Sequence, residues 1–135
     1  MIVQTYWPDH PAIQAAALHE PRLFYQDEEN VRRALGYPPF GRLANVLFWG
    51  SDKSAVATAA RTWSAALESR LPETWTVLGP SPAPISKLKG VWRWHVLVKA
   101  PSGAPLAAVL ADVEHDVPTG RSVSHAIDID PVDLL

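Results

Sequence analysis

The sequence contains no cysteine, so disulfide bonds, thiolate zinc sites and cysteine nucleophiles are all excluded. No apolar run approaches the roughly 18 residues that a membrane-spanning helix needs. The N-terminal stretch also lacks the cationic patch, apolar segment and small-residue cleavage site of a secretory signal, so we expect a cytoplasmic protein. With 135 residues, of which 47% are hydrophobic and 19% charged, the chain is long enough for one real core.

Nucleotide-binding and hydrolase motifs are missing as well. There is no glycine-rich loop ending in Lys-Ser or Lys-Thr, no Gly-x-Ser-x-Gly elbow and no dinucleotide fingerprint. The five histidines show no metal-ligand spacing. Asp128 and Asp130, predicted on the same face of the last strand, suggest a carboxylate pair for acid-base chemistry, but solvated charges at a sheet edge explain them more simply. We therefore expect no catalytic residue, no metal and no cofactor in this chain.

Acidic residues are absent between Glu73 and Asp112, and this gap contains four basic residues. They are Lys87, Lys89, Arg93 and Lys99. Such a local excess of positive charge favours a polyanionic partner, whereas the pI of about 6.2 for the whole chain indicates weak binding by the chain alone. Lys87 and Lys89, on a predicted loop beside Gly90, are the best placed to reach a ligand.

Hydrophobic periodicity predicts a helical arm or linker over residues 1–40 and a folded domain over residues 41–135. Within the domain, apolar runs and stripes at helical spacing predict the order strand, helix, strand, strand, helix, strand. The predicted strands are 43–49, 75–78, 91–99 and 126–130. Right-handed crossovers leave few arrangements of this order, so we predict an α+β ferredoxin-like sandwich, βαββαβ, with an antiparallel sheet carrying both helices on one face. The segment GPSPAPI is predicted to form a turn or extended loop, because proline is excluded from central strands.

The predicted strand 91–99 has one apolar and one charged face. Trp92 and Trp94 point to one side, and Arg93 and Lys99 point to the other. The tryptophan rings could stack on unpaired bases, yet burial beneath the helices is the simpler interpretation. The basic residues are candidate phosphate contacts in either case.

The segment RALGYPPFGRLA at residues 33–44 predicts a rigid connection. Each proline fixes its own φ and biases the preceding residue toward extended geometry. A rigid connector suits a domain that docks on a partner, with Arg33, Tyr37 and Phe40 as the candidate docking residues. The alternative is that Tyr37 and Phe40 pack beneath their own domain.

Four segments carry a resemblance to a known family. They are VQTYWPDHPAIQAA at residues 3–16, FYQDEENVRRALGYPPFGRLA at 24–44, VLGPSPAPISKLKGVWRWHVLVKAPS at 77–102 and AIDIDPVDLL at 126–135. In this order they resemble the C-terminal end of the PriA family of bacterial primosomal replication-restart helicases, also called primosomal protein N'. The resemblance covers essentially the whole chain, and the combination of motifs is specific although each alone is weak.

The resemblance implies that residues 1–40 close the second helicase lobe. It implies that residues 41–135 form a C-terminal domain similar in fold to a small-subunit ribosomal protein. Such a domain would help the helicase hold forked and single-stranded DNA and would contact single-strand-binding protein. The four basic residues would then touch the DNA backbone without reading its sequence, and Trp92 or Trp94 would add stacking if exposed.

The helicase motors and zinc-binding cysteines of the family lie outside this sequence, so ATP, Mg and Zn would belong to a parent protein and this chain would be non-catalytic.

Family members build part of the pocket for the acidic tail of single-strand-binding protein from basic and polar side chains on the helix after the Pro-Ser step. Here that helix begins Gly103-Ala104-Pro105 and continues with Ala107 and Ala108. The alternative function is a structural domain that docks on the helicase core of the same protein, with little DNA contact of its own.

Overall fold

The computed structural model describes residues 2–132, so the last three residues of AIDIDPVDLL lie outside the described part. Its contacts divide the chain into two units, Met1–Leu35 and Gly36–Leu135. Residues 36–40, which the sequence analysis assigned to the arm, cluster with the second unit. Within the described residues, no helix combines the length and apolar character needed to cross a membrane.

The first unit consists of two helices, α1 (Pro11–Ala17) and α2 (Pro21–Leu35). His10 caps α1, because its Nδ1 accepts a hydrogen bond from the backbone N–H of Ala12 at 3.2 Å. On α2, two ion pairs at four-residue spacing stabilise an exposed face, Glu28 with Arg32 at 2.6 Å and Glu29 with Arg33 at 2.8 Å.

The second unit is a four-stranded sheet with two helices. Its elements are β1 (Gly41–Gly50), α3 (Lys53–Arg70), β2 (Thr76–Leu88), β3 (Val91–Pro101), α4 (Leu106–Asp116) and β4 (Ser124–Ile129). The strands lie in the order β2-β3-β1-β4, and every neighbouring pair is antiparallel. This is the order of a ferredoxin-like sandwich, so the predicted α+β fold is confirmed.

The core lies between the helices and one face of the sheet, which we call the helix-side face. Alternate residues of β1 and β3 supply this face, and both helices contribute leucine and valine to the same cluster. Trp63 of α3 is fully buried against Phe48 of β1, with ring centroids 5.5 Å apart. Its Nε1–H donates a hydrogen bond to the carbonyl oxygen of Val117 at 2.9 Å, which connects α3 to the residue that ends α4. The opposite face, the open face, carries neither helix.

The proline-rich segment is part of a strand rather than a loop. β2 runs through GPSPAPI to Leu88, with irregular register between Leu78 and Ser81 and again between Pro82 and Lys87. β2 is an edge strand, so only one of its sides pairs with a neighbour. Proline has no N–H to donate, but on the unpaired side of an edge strand this costs no hydrogen bond of the ladder. The prediction of a loop was therefore wrong.

Asp128 and Asp130 are not a pair on one strand face. β4 ends at Ile129, and Asp130 has a left-handed φ of 52°. Its carboxylate accepts hydrogen bonds from Arg42 at 2.9 Å and from the backbone N–H of Leu43 at 3.0 Å. The reversal of backbone hand after Ile129 ends the strand alternation, so the carboxylate is part of a structural contact.

Candidate nucleic-acid interface

Most of the predicted basic residues lie at one end of the sheet. β2 and β3 are joined by a tight turn in which Lys89 and Gly90 both have positive φ, 50° and 83°. Trp92 pairs with Lys87 on one side and with Gly50, the last residue of β1, on the other. We call this region the hairpin end: Gly50, residues 87–93 and Lys53 at the start of α3. Lys87 belongs to β2 and only Lys89 lies in the turn, so the prediction that both are on a loop was wrong for Lys87.

The hairpin-end cations surround the end of the sheet on both faces. Residues directly opposite each other in a ladder point to the same face, so Lys87 shares the helix-side face with Trp92. Arg93 is opposite Trp49 and therefore lies on the open face. Lys89 is at the tip of the turn between them. The cations thus enclose an end of the sheet and do not form one flat patch.

Lys99 lies apart from the other three predicted cations. It is six positions along β3 from Arg93, which is about 20 Å of extended strand. Its Nζ is 5.1 Å from the centroid of the Tyr37 ring. The structure therefore separates Lys99 from the hairpin end and places it beside the connector.

The connector YPPF forms a turn within the second unit. The backbone N–H groups of Phe40 and Gly41 donate to the carbonyl oxygen of Tyr37 at 2.9 and 3.3 Å, and both aromatic rings are half-buried. Arg33, the third predicted docking residue, belongs to α2 in the first unit and pairs with Glu29.

The two tryptophans of β3 have different surroundings. Trp94 packs against the hydrophobic core, as expected for the helix-side face. Trp92 is also half-buried but does not belong to that cluster. Instead, the Nζ of Lys87 is 4.6 Å and the Nζ of Lys53 is 5.0 Å from its ring centroid. Sequence reasoning missed Lys53, since its proximity to Trp92 depends on how the start of α3 folds back over β3.

The cations of the hairpin end are not paired with a carboxylate in the part of the chain that the structure describes. Within residues 2–132, no ion pair involves Lys53, Lys87, Lys89 or Arg93. The acid nearest in sequence is Asp52, and its Oδ1 caps α3 by accepting from the backbone N–H groups of Ser54 and Ala55 at 2.7 and 3.2 Å. The cations are therefore available to a polyanion.

Two acidic residues toward the C-terminus, Asp116 and Asp130, have hydrogen-bonding partners of their own. His115 and Arg70 hydrogen-bond to Asp116 and lower the pKa of its carboxyl group. Burial alone would raise the pKa of Asp130, but the Leu43 N–H and the Arg42 guanidinium outweigh it and hold this pKa below its usual value. Both carboxylates are therefore engaged by partners other than the hairpin-end cations.

The open face combines apolar with polar and charged side chains, and two of its polar atoms are unpartnered among the described residues. Leu47 and Leu97 are half-buried there, and Asn45 is 7% exposed. The Oδ1 of Asn45 and the Nδ1 of His95 are buried without a hydrogen-bond partner in the described part of the chain. Burial of His95 lowers the pKa of its imidazole, so the ring is neutral near pH 7.

Among the described residues, no group of three or more histidine, aspartate or glutamate side chains is placed to bind a metal ion.

Comparison with known proteins decides the family. The model of the primosomal protein N C-terminal domain matches residues 33–132, which is most of the chain. The chain belongs to this family. Similar proteins include the Replication restart protein PriA of Synechocystis sp., 35% identical over 134 residues, and that of Treponema pallidum, 31% identical over 135 residues. The protein of the same name from Bacillus subtilis is 33% identical over 116 residues.

These relatives are much longer than this chain. The matches cover 99%, 100% and 85% of the chain but only 16%, 20% and 14% of the three relatives, in the same order. The family match confirms the resemblance drawn from the sequence motifs.

Proposed function

We propose that this chain is the DNA-binding C-terminal domain of a replication restart protein and that its hairpin end contacts the phosphate backbone. The observation that carries the proposal is the cluster of Lys87, Lys89 and Arg93 without an ion pair in the described residues. Lysine ammonium and arginine guanidinium groups donate hydrogen bonds to phosphate oxygens, and such contacts position a protein without reading sequence.

The arrangement suits DNA whose backbone passes around the end of the sheet. Lys87 faces one side, Arg93 faces the other and Lys89 lies at the tip, so three phosphates at different angles can be contacted. Forked and single-stranded DNA present phosphates in this way more readily than a straight duplex does. The formal net charge of -2 for the whole chain gives no long-range attraction, so binding by this chain alone is expected to be weak and sensitive to salt.

A salt series with a matched pair of variants tests the proposal. Fluorescence anisotropy would measure the binding of forked and single-stranded oligonucleotides from low to physiological salt. Each phosphate contact to a single strand adds about 0.7 to the slope of log affinity against log salt. Arg93→Gln should therefore reduce the slope by about 0.7, whereas Arg61→Gln, on the exposed side of α3, should leave it unchanged. Equal slopes for the two variants would contradict the role of the hairpin end.

A docking role on the remainder of the parent protein is the second candidate function. The open face favours it, because Leu47, Leu97 and the unpartnered atoms of Asn45 and His95 would all gain from a covering surface. The relatives contain at least 80% of their length outside this region, which provides the partner for such a face.

The docking role is tested by adding the chain to the rest of the parent protein in trans. Titration calorimetry should show weaker binding for Leu97→Ser than for Leu78→Ser, since Leu97 lies on a central strand and Leu78 on the edge strand of the same face. Binding that neither substitution weakens would count against docking through the open face.

Contact with single-strand-binding protein is a separate part of the family's expected role. α4 has the sequence LAAVLADVEHD, so it contains Asp112, Glu114 and Asp116 but neither lysine nor arginine. An acidic peptide would be repelled by this helix. We propose that any contact with the acidic tail of single-strand-binding protein uses the hairpin-end cations instead, and competition between such a peptide and DNA would test this.

The proposal gives the chain no catalytic step. Helicase activity, with its requirement for ATP, Mg and Zn, would belong to other parts of the parent protein.

A further inference from the structure

We infer that Trp92, Lys53 and Lys87 form a binding site for one unpaired nucleobase and its flanking phosphates in single-stranded DNA. This inference rests on the proposed DNA binding and goes further, because it assigns the contact to a base as well as to the backbone. It also adds Lys53, which lies outside the basic segment of the sequence.

Three separate segments bring these side chains together. Trp92 comes from β3, Lys87 from the opposite position on β2, and Lys53 from the first residue of α3. The two ammonium nitrogens lie 4.6 and 5.0 Å from the centroid of the same ring. An aromatic ring with cations beside it is the combination by which proteins hold single strands, since bases stack on the ring and phosphates contact the cations.

The flank of Trp92 on β1 carries no side chain. Gly50 is opposite Trp92 in the ladder, so no side chain from β1 covers the ring. A Cβ at Gly50 would lie 2.7 Å from the carbonyl oxygen of Ser122 and 3.1 Å from Cγ2 of Val56, so these atoms fill the space that a side chain would need and only glycine fits. Trp94, two residues along the same face, is opposite Phe48 and packs on the core. Trp92 lies outside this core cluster, so of the two rings it is the one that we assign to a base.

The ammonium groups of Lys53 and Lys87 contact the indole without DNA and can contact phosphates with it. Without DNA both lie near the ring, in a cation–π interaction that is weak at exposed sites. A lysine side chain has four rotatable bonds, so each ammonium can move from the ring to a phosphate when a base stacks on the indole. Since every base has an aromatic face, we expect little preference among sequences. A duplex keeps these faces inside its stack, so the site distinguishes unpaired from paired DNA.

An oligothymidylate and an abasic phosphodiester chain of the same length separate stacking from backbone contact. We expect the wild-type chain to bind the oligothymidylate about tenfold more tightly at one fixed salt concentration, the order expected for one stacked base. Trp92→Leu should abolish this preference and leave affinity for the abasic chain nearly unchanged. Trp92→Phe should retain part of it, because the smaller ring still stacks. Trp94→Phe serves as the matched control and should keep the full preference.

The lysines are tested through the salt slope on both ligands. Lys53→Gln should reduce the slope by about 0.7 on the oligothymidylate and on the abasic chain alike, because it removes a phosphate contact. Circular dichroism of each variant establishes that it is folded, and Trp92→Phe provides the test if Trp92→Leu does not fold.

The results separate the inference from the proposed function. Equal wild-type affinity for the two ligands, with a steep salt dependence, would overturn the base site and leave backbone binding intact. A preference that remains as large as in wild type in every folded Trp92 variant would also overturn the base site. Failure to bind either ligand at low salt would overturn the proposed DNA binding and this inference together.

Discussion

The carboxylate of Asp130 connects the end of β4 to the start of β1, and its replacement should lower the stability of the second unit in a graded way. The carboxylate accepts from Arg42 Nε at 3.0 Å, from Arg42 Nη2 at 2.9 Å and from the Leu43 backbone N–H at 3.0 Å. The side chains of Arg42 and Asp130 are 31% and 36% exposed, so solvent limits the ion pair to about 1 kcal/mol. The hydrogen bond from Leu43 adds about 1 kcal/mol.

Three substitutions at Asp130 separate these contributions. Asp130→Asn retains an acceptor for Leu43 and should cost about 1 kcal/mol of unfolding free energy, through loss of the ion pair. Asp130→Gly removes both contacts and should cost about 2 kcal/mol, although it tolerates the positive φ. Asp130→Ala removes both contacts in a backbone conformation that disfavours alanine, so about 3 kcal/mol is expected.

Urea unfolding at two pH values provides the assay. The pKa of Asp130 is lowered in the folded chain, so its stabilising effect is present above the ordinary value of 3.8 and is lost as the pH falls through the lower folded value. The difference between wild type and Asp130→Asn should therefore shrink in strong acid. Equal stability of wild type and Asp130→Asn at pH 7, or a difference that does not change with pH, would refute the reasoning.

Two further predictions concern the core and the open face. Trp63→Phe removes the hydrogen bond to the carbonyl oxygen of Val117 and leaves a cavity, so urea unfolding should show a loss of about 2–4 kcal/mol, and a loss below about 1 kcal/mol would contradict this packing. Burial lowers the pKa of His95 in the folded chain, so the stabilisation linked to its neutral imidazole is fully present above pH 6.5 and is lost as the pH falls below that value. His95→Gln should therefore flatten the profile of thermal stability against pH between pH 7 and 5. An unchanged profile would show that His95 is not the group responsible.

The order of strands and helices was predictable because its signals are local. The stripe of Val56, Ala60, Trp63 and Leu67 along α3 repeats at helical spacing, and all four residues are fully buried. The alternation along β3 likewise predicted which of its residues face the core. The course of β2 was not predictable from its own residues, because whether prolines can continue a strand depends on its position at the sheet edge.

The candidate site was predictable only in part. The acid-free segment indicated Lys87, Lys89 and Arg93, since a charge pattern is visible in the sequence itself. The sequence did not reveal that Lys87 and Arg93 lie on opposite faces, because the irregular register of β2 decides the direction of Lys87. Lys53 had no local signal at all, as its proximity to Trp92 is created by tertiary folding.

The salt dependence of single-stranded DNA binding, compared between wild type and a variant with Lys87→Gln, Lys89→Gln and Arg93→Gln, tests most directly whether the hairpin end holds the DNA backbone. Three lost phosphate contacts should reduce the slope of log affinity against log salt by about 2 and weaken binding at low salt. An unchanged slope, in a variant whose circular dichroism matches wild type, would contradict the account.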